Sequence, residues 1–237
     1  MEGVSIIIPT YGTPEYLKEC INSIRNQQVN FNYDILLGVD NCKETLQFIK
    51  KHKDFFKKIK IFYFKKNVGP FIIKNSLATI SKNDKILFFD SDDVMTENML
   101  NNFYNEIDHV DFVRFNYLNF SKNINNLLNE NLKSDTIIGT KKTILDKIVG
   151  FQPWFCGADS ELYERLVFNK MTEKIIDGIS FYRRIHDKNL TSKKETNYKS
   201  DIRKKYLNII KENKTKNIWD NPEKRIIEEY RKIKLNK

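Results

Sequence analysis

Apolar and polar positions fall into regular blocks along the first ninety residues. Residues 4–8, Val-Ser-Ile-Ile-Ile, are apolar except for Ser5 and run into Pro9-Thr10-Tyr11-Gly12. A short apolar run closed by turn residues predicts a strand buried on both faces. Thr13 then stands at a helix-cap position with Pro14 at the first helical one. Tyr16, Leu17, Cys20, Ile21 and Ile24 follow at spacings that place them on one helical face. The pattern repeats with a strand over 33–39 that ends at Asp40, a helix over 44–53 and a strand over 59–64. The turn Asn67-Val68-Gly69-Pro70 leads into a helix through Ser81, and a strand follows at 86–89. Repeated strand–helix alternation predicts an α/β fold with a doubly wound, mostly parallel sheet and right-handed crossovers.

After Asp93 the rhythm changes. The pattern predicts a helix from Thr96 to about Ile107, an alternating strand over 111–119 and a polar, Asn-rich surface excursion over 121–134. A short strand over 136–139 and a helix over 143–149 precede a loop, 150–157, that carries Trp154 and Phe155. A helix over 159–169 and a late strand over 178–186 complete a body of residues 1–190. Residues 191–237 form an extension with two amphipathic helices, 201–211 and 222–234. Ile226, Tyr230 and Ile233 share a face of the second; the first is expected to dock on the body and the second on the body or a partner chain.

The stretch 86–93 carries the chemistry. Four apolar residues run directly into Asp90, Asp92 and Asp93. Acids at the carboxyl end of a buried strand are costly unless something positive meets them. Ligands of open α/β sheets bind beyond those ends. A hard divalent cation carrying substrate phosphates satisfies both conditions. A helix cap or an Asp-rich turn would explain one of the three acids.

Composition narrows the class. Of 237 residues 40% are hydrophobic, enough for a sizeable core, and no apolar run approaches the length of a membrane span. No signal-peptide pattern opens the sequence, and Cys20, Cys42 and Cys156 lack metal-ligand spacing; these features predict reduced thiols and a cytoplasmic location. The net charge of +10 is local. From Asp187 onward sixteen Lys/Arg face eight Asp/Glu, which leaves the preceding residues near neutral. The tail lacks the interleaved aromatics that stack bases, so no nucleic-acid partner is expected. A solvated lysine face explains the charge, with peripheral membrane contact and homo-oligomerisation as open possibilities.

Five segments in order, VSIIIPTYGTPEYLKECINSI, the strand ending in Asp40, NVGPFIIKN, FFDSDD and CGADSELYERL, resemble family 2 glycosyltransferases with the GT-A fold. The resemblance covers residues 4–191. It implies a nucleotide-sugar donor, UDP-linked by expectation, with Pro9, Thr10, Tyr11 and Asp40 lining the nucleoside pocket. Val39-Asp40-Asn41-Cys42 departs from the usual Asp-Asp-Gly-Ser run there. Asn67 and Gly69 match an Asn-x-Gly element. Lys74 stands near an Arg-Asn position, where it either steadies a diphosphate or is a solvated helix lysine.

Asp90-Ser91-Asp92 matches the DxD motif, which implies Asp90 toward the ribose, Ser91 beside it, and Asp92 on a Mn2+ or Mg2+ ion with Asp93 ligating or supporting. His186 stands where relatives carry a histidine that reaches the metal or diphosphate. Gly157-Ala158-Asp159-Ser160-Glu161 resembles the acidic helix-start motif, with Asp159 at the general-base position and Ala158 in place of an acid. Glu161 would orient the loop and contact the acceptor side, and Trp154 would stack on a sugar of a glycan or other hydroxyl-bearing acceptor. The implied reaction is metal-dependent transfer with inversion. A sugar-1-phosphate nucleotidyltransferase would need a Gly-rich, Lys-bearing loop after the first strand, which PTYGTPEY does not supply. A catalytically degenerate donor-binding or nucleic-acid-binding protein is the other rival.

Overall fold

The chain begins with the four parallel strands and two helical layers that its hydrophobic blocks predict. The computed structural model describes residues 3–128 and 132–235. The elements are β1 (Gly3–Thr10), α1 (Pro14–Arg25), β2 (Asn32–Val39), α2 (Lys43–Lys51), α3 (Lys53–Phe56), β3 (Lys60–Phe64), α4 (Pro70–Ile80), β4 (Lys85–Phe88) and β5 (Val94–Met95). They continue with α5 (Met99–Glu106), β6 (Phe112–Ser121), β7 (Asn123–Leu127), β8 (Leu132–Lys141), α6 (Lys142–Lys147), α7 (Ala158–Phe168), β9 (Glu173–Arg184), α8 (Asp201–Lys216) and β10 (Tyr230–Ile233). One sheet runs β10-β3-β2-β1-β4-β8-β6-β9-β5, with β7 paired to β6. Its centre, β3-β2-β1-β4, is parallel throughout.

Both faces of that centre are covered. Val4, Ile6 and Ile8 of β1 enter one apolar cluster with Leu17, Ile21 and Ile24 of α1 and Leu46 and Ile49 of α2. Ile7 points the other way, into a cluster with Ile73 and Leu77 of α4 and Leu162 and Leu166 of α7. Alternating side chains of one strand thus feed two cores, which is why β1 reads as a continuous apolar run. β1, β2 and β4 end at one level, because Asp40 donates its N–H to Thr10 O at 3.0 Å and Phe89 donates to Ile7 O at 3.0 Å. The acids that follow β2 and β4 are thereby brought to one edge.

Several expectations are corrected. The polar excursion after Ser121 is partly sheet, since β7 folds back on β6; residues 129–131 of that excursion lie outside the described residues. Thr13 holds the cap position of α1 without a side-chain bond. Thr96 does not cap a helix: its Oγ1 donates to the carbonyls of Ile179 and Ser180, and α5 begins at Met99. The late strand begins earlier than expected, at Glu173, and His186 lies just past its end.

The largest correction is the second tail helix. Residues 230–233 form β10, antiparallel to β3 at the sheet edge. Residues three apart share a helix face but take opposite faces of a strand. Tyr230 accordingly packs on Phe62 and Phe64 in one core, and Ile233 joins the other. An edge strand also closes the unpaired side of β3. The first tail helix, α8, docks as expected: Tyr206 stacks on Trp154 at 4.4 Å, and Lys214 pairs with Glu164 at 2.8 Å.

If β10 clips the edge of the sheet, Tyr230→Ala loses two aromatic contacts and lowers stability by about 1–2 kcal/mol in urea unfolding. A change indistinguishable from zero would mean that β10 adds nothing to the fold.

Candidate active site

A cavity of about 510 Å³ opens at the carboxyl ends of β1, β2 and β4. The turn after β1 supplies Pro9, Thr10 and Tyr11, and β2 ends in Asp40 at its wall. Asn67 and Gly69 come from the loop before α4, and Lys74 from the helix itself. Asp90, Ser91, Asp92 and Asp93 form the floor, with Asp159 and His186 on the remaining sides. Thirteen of the fifteen residues singled out in the sequence therefore meet in one place. The hydroxyl of Thr10 is buried there without a hydrogen-bond partner, an atom that a bound molecule would satisfy.

Asp40 is committed to its neighbours. Its two oxygens accept the N–H groups of Val68 at 2.8 Å and Gly69 at 2.9 Å. Burial pushes its carboxyl up, and these two bonds work against that shift. Gly69 has φ +82°, a conformation that favours glycine, and Pro70 starts α4 directly after it. The Asn-x-Gly element thus fixes the second strand end to the start of α4.

Lys74 is not a solvated helix lysine. Its side chain is 3% exposed, its Nζ lies 3.1 Å from Asp90 Oδ1, and it sits near the faces of Phe71, Phe88 and Phe151. Next to it, Asn75 donates to Phe151 O and accepts from Phe151 N–H, both at 2.9 Å, splicing α4 to the loop that leads to Asp159. Asp159 is buried in the first turn of α7. Burial pushes its carboxyl up, the Lys74 ammonium and the N–H of Ser160 pull it down, and Asp90 adds a smaller upward push. Gly157, with φ +78°, occupies the N-cap position before it.

Across the floor, Asp92 Oδ2 lies 2.8 Å from His186 Nε2 and accepts from Asn189 Nδ2 at 3.0 Å. Asp93 is turned to the backbone, where its Oδ1 accepts the N–H of Arg184 at 2.9 Å. Burial, then Asp92 and Asp90, push the Asp93 carboxyl well above the usual carboxylate range. No group of three His, Cys, Asp or Glu side chains among the described residues is arranged to hold an ion. Of the expected trio of Asp92, Asp93 and His186, the structure brings Asp92 and His186 into contact, Oδ2 2.8 Å from Nε2, while Asp93 faces the backbone. That pair suits a hard or borderline cation that takes its other ligands from a phosphate and water.

Two expected acceptor contacts fall elsewhere. Glu161 is buried and holds Arg165 through both oxygens, at 2.7 and 2.9 Å; Arg165 also donates to the carbonyls of Ile148 and Gly150. Glu161 thus orients the loop before Asp159 but does not face the cavity. Trp154 is spent on Tyr206, and its neighbour Phe155 lines the cavity in its place. A further wall escaped the sequence reading. Lys188, Asn189, Lys193, Tyr198, Arg203 and Leu207 close the cavity from beyond the late strand. The signal that could have found it is the aromatic and cationic content of a turn-rich stretch directly after a candidate ligand.

Comparison with known proteins agrees with this geometry. A family model described as "Glycosyl transferase family 2" matches residues 5–172. The chain is similar to the poly(ribitol-phosphate) beta-N-acetylglucosaminyltransferase TarP of Staphylococcus aureus, 34% identical over 110 residues, which are 44% of this chain and 33% of TarP. It is also similar to the glycosyltransferase GlyG of Streptococcus pneumoniae, 28% identical over 131 residues, covering 53% of this chain and 42% of GlyG. The matching stretches thus span less than half of these relatives. Among solved structures, S. aureus TarS 1–349 in complex with UDP-GlcNAc superposes with a TM-score of 0.61 at 20% identity, over 78% of this chain and 59% of that one. The mannosyltransferase PcManGT of Pyrobaculum calidifontis, in complex with GDP-Man and Mn2+, gives 0.62 at 10%, over 78% and 58%. At such identities the likeness shows the fold.

The electrostatics of the floor give a stability test. An acid whose folded pKa is raised holds its proton more tightly in the fold, so stability declines as pH climbs from the ordinary carboxylate value to the raised one. Asp93→Asn removes that decline and keeps an oxygen for Arg184. Without added metal, its melting temperature should exceed that of wild type at pH 7, and the two should converge near about pH 4. A variant no more stable at pH 7 would contradict the burden assigned to Asp93.

Proposed function

The chain belongs to glycosyl transferase family 2, and from that premise we propose that it moves a sugar from a nucleotide donor to an acceptor hydroxyl, with inversion and with Asp159 as general base. One observation carries the reading. A buried carboxylate, Asp159, and an acid pair at a strand end, Asp90 and Asp92, share one cavity with Lys74 between them. A displacement at an anomeric carbon needs these two kinds of group on opposite sides of the sugar: a base for the entering hydroxyl and positive charge at the leaving diphosphate.

Pro9, Thr10, Tyr11 and Asp40 hold the nucleoside, and the unpartnered hydroxyl of Thr10 receives one of its polar atoms. Asp90 and Ser91 meet the ribose, and Asn67 and Gly69 shape the wall beside it. Asp92 and His186 would hold a divalent ion, with Asp93 bracing Arg184 behind them. When bound, such an ion supplies Lewis-acid stabilisation of the departing diphosphate. The remaining work falls to the chain. The acceptor hydroxyl loses its proton to Asp159 as its oxygen bonds to the anomeric carbon, and the bond from that carbon to the diphosphate oxygen breaks in the same displacement. The other acids of the floor are engaged, Asp90 with Lys74, Asp92 with His186 and Asn189, and Asp93 with the Arg184 N–H, which favours the single displacement over a two-step route. A UDP-linked donor is supported by the UDP-GlcNAc complex of TarS, and a hydroxyl-bearing polymer acceptor by the poly(ribitol-phosphate) beta-N-acetylglucosaminyltransferase TarP.

Asp159 has to be ionised to act, so transfer at saturating donor should fall as pH drops through its raised pKa. Asp159→Asn should keep donor affinity and transfer roughly 10²–10⁴-fold more slowly. Glu161→Gln should lose less turnover and more stability, because it frees a buried Arg165. Near-normal transfer by Asp159→Asn would assign the base elsewhere. Lys74→Met removes the cation that lowers the Asp159 pKa, and the acid limb of its kcat profile should move to higher pH. An unmoved limb would separate Lys74 from the base.

A further inference from the structure

Four arginines are buried among the described residues: Arg114, Arg165, Arg184 and Arg203. A guanidinium withdrawn from water is costly unless acceptors, and above all a carboxylate, meet it. Arg114 meets Glu173, Arg165 meets Glu161 and Arg184 meets Glu19. Arg203 is 8% exposed and is the buried residue of α8, yet it forms no ion pair with any described residue.

Its setting is nevertheless well defined. Its Nε donates to Thr196 O at 2.6 Å, and its guanidinium lies 5.1 Å from the ring centroid of Tyr198. Its backbone N–H is taken by the Ser200 hydroxyl that caps the helix. One edge and one face of the planar group are therefore occupied. The two terminal nitrogens, which no described residue meets, are left for the cavity that Arg203 lines. A fork held this way matches a phosphate or other oxyanion with two parallel hydrogen bonds.

The side of the cavity is also fixed. Tyr206, one turn along α8 from Arg203, stacks on Trp154 of the loop that leads to Asp159, so Arg203 stands on the side of the base. Lys193, by contrast, lies 5.2 Å from the ring centroid of Tyr11, on the nucleoside side. Around Arg203, Tyr198 is 65% exposed, and Phe155 and Leu207 also present apolar surface to the cavity. These surfaces suit the carbon face of a sugar or polyol attached to the anion.

We propose that Arg203, backed by Tyr198, is the specificity-determining residue of the acceptor subsite and takes a phosphate group carried by the acceptor. The proposal rests on the transferase reading above and adds the charge of the acceptor to it. A phosphate in this cavity could belong to the donor diphosphate or to the acceptor, and the test separates the two.

Wild type, Arg203→Gln and Tyr198→Ala are titrated calorimetrically with UDP, and then, in saturating UDP, with glycerol phosphate and with glycerol. Wild type should bind glycerol phosphate and not glycerol. Arg203→Gln should weaken glycerol phosphate about 10- to 100-fold, the loss of charge-assisted hydrogen bonds, with UDP affinity unchanged. Tyr198→Ala, whose side chain is too exposed to matter for folding, should weaken it several-fold. A fall in UDP affinity for Arg203→Gln would assign the arginine to the donor and overturn the proposal. Equal binding of glycerol phosphate by wild type and Arg203→Gln, or none by wild type, would also overturn it. Wild type that binds glycerol phosphate but no UDP would instead strike the transferase reading.

Discussion

The ammonium of Lys74 is the charge on which the rest of the cavity depends. The ends of β2 and β4 and the start of α7 place acids within one small volume, and burial makes each ionised carboxylate expensive. Lys74 reaches that volume from α4, nearly sealed from water and walled by Phe71, Phe88 and Phe151. It touches Asp90 directly and acts on Asp159 across the cavity. One cation therefore serves both the acids after β4 and Asp159. Asp93 forms no ion pair with any described residue, and burial with the neighbouring Asp92 and Asp90 drives its carboxyl up against the smaller pull of the Arg184 N–H and Arg183. A floor that keeps this much unbalanced negative charge is poised for a ligand that brings positive charge with it.

The tail belongs to the site. A boundary at residue 190 separates the body from the extension in sequence, but in space the cavity wall continues through Lys193, Tyr198, Arg203 and Leu207. The stack of Trp154 on Tyr206 and the ion pair of Lys214 with Glu164 hold α8 against α7. β10 returns the chain to the far edge of the sheet. Residues 191–235 thus supply a wall of the cavity and an edge strand of the same sheet.

How much of this was legible in the sequence follows from burial. β1 to β4 are packed on both faces, so their apolar runs identify them and the acids that end them. Tyr230 and Ile233 misled because a spacing of three serves a helix face and also the two faces of an edge strand. The segment after His186 has no hydrophobic period, being a string of turns, so its place over the cavity is decided by tertiary contacts such as Lys188 Nζ donating to Gly12 O at 3.0 Å. Trp154 and Glu161 were placed in the acceptor site by type and position. Their partners, Tyr206 and Arg165, show instead that an aromatic and an acid next to a site can serve to position it. Arg203 was hidden by the sixteen basic residues of its own tail; only its burial without a carboxylate sets it apart.

The central claim is that the acids at the end of β4 recognise the donor diphosphate through a cation and do not bind the nucleotide unaided. Calorimetric titration of UDP into wild type, in Mn2+ and again in excess chelator, tests it most directly. Saturable binding in Mn2+ that weakens by at least about tenfold in chelator, a difference of about 1.4 kcal/mol, is the predicted result. Equal affinity in both conditions would contradict the role given to Asp92 and His186, and no binding in either would remove the donor from this cavity.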